Sequence, residues 1–471
     1  LFYNSDLFTR VFAIRTFSAL LFTINIWVIW QIGKEMRYAI TSICHSTPDA
    51  KHNLFPFTLM LITAFHPMFS FVSASPNSDV LFNLLFTTFL YGCIRILIRP
   101  CKCHHEAIAQ GSYVNQNQGF PTASILIITI SIILGLLTKQ QMIIALAILL
   151  IVIAYRFTDI INWIKTKKIL APSIIVLLSG LIYTATQIGE VERIKGFVGN
   201  QFSHSVNLRD HIIWSLQTTY RQTLPWYWGV FRWLSLTLPR WVNRGQMLLL
   251  LLSSIGLGWY FIQAVHESRK MKKRNKNYFS LLHILHSAFN ILKKHRLVIF
   301  LLSTPIIYFS FVIGWDWLHR MGKGFSFGVQ GRYFFPTIAS HMALVVIGII
   351  WFVQAVGQLI ALAIKPIRSS NVYSQFIIQH STFNILMLWF LLIHTIALFT
   401  VSSSYYDHSS ITTFITQASQ YKPLIFKGNW WYLWITLYIT SILTIILTII
   451  KNVKYGIQID HTLKFRFRSS S

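Results

Sequence analysis

Carboxylates are the scarcest reactive groups in this chain. Thirteen Asp plus Glu stand among 471 residues, against 41 Lys plus Arg. General acid–base or metal chemistry must therefore draw on very few side chains, and three short stretches concentrate the candidates. The first is Phe65-His66-Pro67-Met68-Phe69, running on to Asn77-Ser78-Asp79. Asp79 is either an N-terminal helix cap, where a carboxylate meets free backbone N–H groups, or a polar group lining a cavity. His66, on an otherwise apolar segment, is either a packed, hydrogen-bonded histidine or a ligand or base. The second stretch is Leu136-Leu137-Thr138-Lys139-Gln140-Gln141. Lys139 either snorkels to a membrane interface or meets a phosphate as a point charge. The third is Gly328-Val329-Gln330-Gly331-Arg332-Tyr333-Phe334-Phe335-Pro336. Its glycines allow tight turns and close backbone approach. Arg332 either anchors at an interface with Tyr333 or grips phosphate bidentately.

The elements that must carry these groups are transmembrane helices. Hydrophobic residues make up 54% of the chain and charged residues 11%, where a soluble domain carries about a quarter. Mean hydropathy is +0.54. The net charge of +28 would suit nucleic acid on a polar surface. Here, however, the basic residues fall between apolar runs of about 20 residues, the length that spans a bilayer. Nucleic acid is therefore excluded and a lipid bilayer is the expected partner. About eleven spans are predicted, near 11–31, 54–72, 79–98, 121–137, 141–157, 169–187, 245–265, 297–315, 334–356, 376–400 and 430–450. The fold class is all-α, a polytopic helical bundle, with 1–471 read as a single membrane domain.

Basic residues alternate between loops and so set the orientation. Lys34, Arg37 and Lys51; Arg95, Arg99 and Lys102; Arg156, Lys165, Lys167 and Lys168 fall on one side. So do the 266–296 loop, with its run Arg269-Lys270-Met271-Lys272-Lys273-Arg274, then Lys365 and Arg368, and the 451–471 tail. This side is read as cytoplasmic, which places the C-terminus inside. Asp6, Asp79, Glu190, Glu192, Asp210, Asp316 and Asp407 then lie outside or near the outer ends. All three candidate stretches fall on that same outer side. The long outer segment 188–244 is rich in Trp and Tyr, which suits amphipathic helices lying in the interface. Cys101-Lys102-Cys103-His104-His105 has no standard structural-zinc spacing. The four cysteines imply no disulfide framework, and no phosphate-binding or dinucleotide glycine motif is present.

Several motifs together carry a resemblance. They are Arg15-Thr16-Phe17-Ser18-Ala19-Leu20-Leu21, the stretch from His66 to Asp79, and Gly135-Leu136-Leu137-Thr138-Lys139-Gln140. With them go Trp228-Gly229-Val230-Phe231-Arg232-Trp233, Leu238-Pro239-Arg240-Trp241, and Gln330-Gly331-Arg332-Tyr333-Phe334-Phe335-Pro336. Over about residues 10–355 the chain resembles a family of bacterial multispanning proteins with a Gln-Gly-Arg-Tyr motif. That family is itself similar to the GT-C superfamily of membrane glycosyltransferases.

The resemblance implies transfer of a sugar from a polyprenyl-phosphate carrier to a cell-envelope glycan acceptor on the outer face. It implies a cation on the carrier phosphate, assigned to Arg332 with Lys139 as a second candidate, and a carboxylate base. Asp79 and Asp6 are the candidate catalytic carboxylates. Tyr333, Gln330, Gln140, Asn77 and His66 complete the candidate binding set. No cofactor is assigned, and a divalent metal is left open. The chain begins at Leu1, just before what resembles the second span of GT-C proteins. The first span and most of the first outer loop are therefore expected to precede it. Two other functions are carried beside this one: a lipid-linked glycan transporter, and a non-catalytic subunit of an envelope assembly machine.

Overall fold

The computed structural model describes residues 7–43, 54–98, 122–166, 204–232, 234–274, 292, 294–363, 371–406, 409–420, 422 and 424–468. Helices dominate them. In a bilayer no water takes up the backbone hydrogen bonds, so an apolar segment must satisfy them within itself. In chain order the helices begin with α1 (Leu7–Ile43), α2 (Phe55–Ala64), α3 (Pro67–Ser73), α4 (Asp79–Ile98), α5 (Thr122–Thr138) and α6 (Ile143–Thr166). There follow α7 (Leu208–Thr218), α8 (Leu224–Trp228) and a two-stranded antiparallel hairpin, β1 (Val230–Phe231) with β2 (Leu236–Thr237). The chain continues through α9 (Arg240–Arg274), α10 (Arg296–Lys323), a 3-10 segment Gly331–Thr337, α11 (Ile338–Ala363) and α12 (Asn371–Tyr405). It closes with α13 (Ile411–Ser419) and α14 (Trp430–Arg468).

Among the described residues, eight stretches are long and apolar enough to cross a membrane. They are Thr9–Arg37, Asp79–Ile98, Gln140–Phe157, Arg240–His266, Arg296–Lys323, Gly331–Ile360, Ser381–Tyr405 and Trp430–Lys451. The pair α2–α3, bent by 64°, makes nine if it forms one broken span. Thr122–Thr138 is apolar but shorter, and the expected span at 169–187 lies outside the described residues. The protein is an all-α, multi-pass membrane protein.

The chain divides into two compact units. One comprises Leu1–Asn77, Trp228–Lys276 and Met342–Ser471, the other Ser78–Tyr227 and Asn277–His341. In the first, α9 and α11 cross at small residues. A Cβ added to Gly256 would meet the Gly348 carbonyl oxygen at 1.8 Å, and one added to Gly348 would meet the Ser253 oxygen at 2.3 Å. The Ser253 hydroxyl donates to the Leu344 carbonyl at 3.2 Å. Between spans, lipid is as apolar as a side chain, so close backbone approach and dispersion hold helices together. Only 6% of the apolar window of α14 is buried, with Ile449 packed against Leu61 and Met387.

In the second unit α4 is central, with 67% of its window buried, and it packs on α5, α6 and the Gly331–Thr337 segment. Its C-terminal end is closed by a side chain. Arg156, only 6% exposed, donates to the carbonyls of Ile96 and Leu97, each at 3.0 Å, and to Asp159 at 2.7 Å. Those carbonyls belong to the last turn of α4 and have no intrahelical donor. Arg156 itself has non-helical dihedrals (φ −117°, ψ 16°), so α6 bends where the guanidinium turns in. Its basic charge therefore serves a specific helix cap.

Within 188–244, residues 208–218 form α7. In α7 the buried side chains are His211 and Ser215, while Leu208, Ile212, Ile213 and Leu216 are exposed. An apolar face turned outward is what contact with lipid requires. The hairpin at 230–237 departs from the expected helices. Its turn holds Arg232 (φ 44°) and Leu234 (φ 71°) in the left-handed region, which is costly for side chains with a Cβ.

Candidate functional site

Asp79 opens α4, and Lys139 sits in extended backbone (φ −152°, ψ 135°) between α5 and the Gln140–Met142 turn. α5 doubles back tightly here, since a Cβ on Gly135 would meet Met142 Cγ at 2.6 Å. The turn brings Lys139 Nζ onto Asp79 Oδ1 as a donated hydrogen bond and ion pair. Both side chains stay partly open, 25% and 17% exposed. The two residues, read separately in the sequence as phosphate cation and base, are thus counter-ions of one another. Gln140 is exposed beside them.

The Gln330–Pro336 stretch folds as a 3-10 turn against Tyr227. Gly331 is required there, because a Cβ would meet the Tyr227 backbone nitrogen at 2.2 Å. The Thr223 hydroxyl donates to the Val329 carbonyl at 3.0 Å on the same side. A proton-ordered chain then locks the turn. The Tyr227 hydroxyl lies 3.0 Å from His341 Nδ1, and Thr337 Oγ1 lies 3.2 Å from His341 Nε2 and 3.0 Å from the Phe334 carbonyl. That carbonyl can only accept, so Thr337 donates to it and takes the Nε2 hydrogen. Nδ1 is then free to accept from Tyr227. Burial pushes the Tyr227 hydroxyl well above the usual phenol range, so it keeps the proton this chain needs. Gly331→Val is expected to destabilise the fold by about 2 kcal/mol through overpacking, read as a lower thermal midpoint in detergent. A wild-type midpoint would show that the Tyr227 contact does not constrain the turn.

Arg332 is half-buried on this turn, with its guanidinium carbon 5.7 Å from the Tyr333 ring centroid. Its Nε is buried without a hydrogen-bond partner. Among the described residues no carboxylate lies within ion-pair distance of it. An arginine with unused donors on a rigid turn is prepared for an anion from elsewhere. Tyr333 faces Phe327 at 5.9 Å, and Gln330 is half-buried before the turn.

A buried pair that sequence reasoning did not single out holds the approach to this turn. Asp316, fully buried in α10, accepts from the Ser326 hydroxyl at 2.7 Å and the Phe327 amide at 3.0 Å. Its other oxygen lies 3.8 Å from His211 Nε2. His211, also fully buried, has its Nε2 3.3 Å from the Ile313 carbonyl and 3.2 Å from the Ser215 hydroxyl. Asp316 thus ties the 324–330 loop to α10, while its second oxygen is buried beside His211 without a hydrogen-bond partner. An acid inside an apolar span was the available signal, since such groups are costly without partners.

A run of rings joins the two cationic positions. Lys139 Nζ lies 6.0 Å from the Phe82 ring centroid. Phe82 meets Phe86 at 6.0 Å, Phe86 meets Tyr308 at 5.5 Å, and Tyr308 meets Phe334 at 6.3 Å, each edge to face. The Tyr308 hydroxyl is buried with no hydrogen-bond partner, within electrostatic reach of Asp79.

The remaining candidates fall in the other unit or outside the described residues. His66 is fully buried, stacks on Trp228 at 4.9 Å, and its Nδ1 accepts from the Phe69 amide at 3.2 Å as the cap of α3. It is the packed histidine of the two alternatives. Asn77 donates to Ser75 Oγ at 2.7 Å and ties up the turn after α3. Asp6 and the Cys101–His105 cluster lie outside the described residues. Among those described, no group of three or more His, Cys, Asp or Glu could hold a metal ion.

The fold thus defines a class, the helical multi-pass membrane proteins. Compared with protein-family models, curated proteins and solved structures, the chain matches none.

Proposed function

We propose that this protein is a membrane glycosyltransferase. It takes a sugar from a polyprenyl-phosphate carrier and passes it to an envelope glycan at the outer face of the cell membrane, with its own C-terminus in the cytoplasm. The observation that carries this reading is Arg332: a half-buried guanidinium on a rigid turn, in the same compact unit as the Asp79–Lys139 pair, with no internal carboxylate among the described residues. The resemblance of the Gln330–Tyr333 motif to the GT-C-like family supports the same assignment.

The chemistry follows from these groups. The bond between the anomeric carbon and the carrier phosphate breaks, and the phosphate leaves with an added negative charge. Arg332 stabilises that charge, which a fixed cation does best in a site shielded from water. The acceptor hydroxyl forms the new bond to the anomeric carbon and gives its proton to a carboxylate. Asp79 takes this proton once the Lys139 ammonium turns from it to the incoming phosphate. Lys139 therefore acts as a switchable counter-ion.

The test offers labelled polyprenyl-phosphate sugars to the purified protein with envelope acceptors. Asp79→Asn is expected to lower transfer by about 10²–10⁴-fold, the range for a lost general base. Lys139→Gln is expected to raise the apparent donor constant more than it lowers turnover. If no donor in a broad panel is consumed while labelled carrier crosses reconstituted vesicles, transport takes the place of transfer.

A further inference from the structure

In the first unit, two cations share one aromatic ring. Arg15, near the start of α1, has its guanidinium carbon 5.9 Å from the Phe12 ring centroid. Lys422, in the segment between α13 and α14, places its Nζ 5.2 Å from the same centroid. Phe12 stacks on Phe426 at 5.5 Å, and Phe426 stacks on Trp434 at 5.4 Å with an interplanar angle of 17°. The Trp434 indole donates to the Ile425 carbonyl at 2.8 Å, which fixes the outer end of this ring stack.

Like charges drawn together at the edge of a membrane repel one another unless an anion lies between them. Among the described residues neither cation has a carboxylate within ion-pair distance. Glu35, on the same helix, is twenty residues from Arg15, about 30 Å along the axis. Burial and the nearby Arg15 charge both lower the Lys422 ammonium below the usual lysine range, as expected for a cation short of counter-charge. Arg15 lies about 9 Å along α1 from Thr9, the first residue of its span. Arg15 therefore lies near one end of this span. Arg15 is exposed there and Lys422 is half-buried.

We propose that Arg15 and Lys422 form a binding site for the phosphate of an anionic membrane phospholipid, with the Phe12–Phe426–Trp434 stack as the wall for its chains. The guanidinium grips two phosphate oxygens and the ammonium supplies a point charge. The rings occupy the depth at which aromatic side chains anchor in bilayers. This site is separate from the Arg332 turn and does not depend on the transferase reading. It explains why a loop lysine folds back onto the first span.

The test is native mass spectrometry of the full chain, delipidated and then titrated with phosphatidylglycerol, phosphatidylcholine or inorganic phosphate. Thermal midpoints are recorded in parallel. Arg15→Gln/Lys422→Gln is expected to lose phosphatidylglycerol affinity by about tenfold or more and to lose the stabilisation that this lipid gives. Phosphatidylcholine binding is expected to be unchanged. The control Arg209→Gln/Arg221→Gln, which removes two exposed charges elsewhere, is expected to behave as wild type. Should the double variant fold poorly, the single Lys422→Gln change in the loop is expected to show the same loss in smaller degree. Full phosphatidylglycerol binding by both variants overturns the site. Equal stabilisation of wild type by millimolar inorganic phosphate, lost in the double variant, overturns the lipid assignment in favour of a soluble anion.

Discussion

Arg332→Ala is expected to lower sugar transfer by about 10²–10³-fold, the scale for removing a preorganised donor from developing negative charge. The protein should remain folded, because this guanidinium makes no internal ion pair among the described residues and its Nε has no partner to lose. The thermal midpoint is therefore expected within the small range of a change that breaks no packing or network. Arg332→Lys separates charge from geometry. Lysine keeps the charge but not the planar fork, so an intermediate loss is expected. Labelled donor consumption by wild type, Arg332→Ala and Arg332→Lys is the measurement. Wild-type turnover in Arg332→Ala would remove the phosphate clamp from this position. The turn itself, set by Gly331 against Tyr227 and by the Tyr227–His341–Thr337 chain, does not involve the arginine side chain. A loss of activity is therefore readable as chemistry.

The second large effect is on stability. Arg156→Leu is expected to destabilise the fold by about 3 kcal/mol. Two charge-assisted bonds to the Ile96 and Leu97 carbonyls disappear, and Asp159 loses its counter-ion. Bonds to charged groups contribute more than neutral ones, and the exposed carbonyls would face a partly apolar surrounding. Asp159 is itself 22% exposed, so water offsets part of its loss. Arg156→Lys should recover only part, because one ammonium does not span two carbonyls and a carboxylate as a planar fork does. Thermal melts in detergent, followed by intrinsic tryptophan fluorescence, report the difference. Superimposable melts for Arg156→Leu and wild type would mean that the cap contributes nothing. Many other basic residues remain in the same set of loops, so orientation in the membrane should not change.

The order of spans was largely legible in the sequence. Apolar length is dictated by bilayer thickness, and no partner needs to be known to count twenty apolar residues. The seams at Thr138-Lys139-Gln140 and Gly331-Arg332 were visible for a similar local reason, whereas the 64° break at Phe65-His66-Pro67 falls inside the continuous span expected over 54–72. Proline, glycine or a charge between apolar runs interrupts a helix or marks its end. The hairpin after Trp228 was not foreseen. Short strands held by two positive-φ residues leave no periodic signature.

What the sequence by itself determined is an all-α protein that lives in a bilayer, with few acids and with its Gln-Gly-Arg-Tyr motif at the start of a span. What only the tertiary structure decided is which of those groups meet. Asp79 and Lys139 are 60 residues apart in sequence and form one ion pair. Asp316 finds His211 across α7 and α10, and Arg15 meets Lys422 over a single phenylalanine. Hydropathy is a property of each residue and survives in a linear string. Pairing depends on how helices cross, and that is set by packing details such as Gly256 against Gly348, where the space around a backbone decides which side chains come within reach of one another.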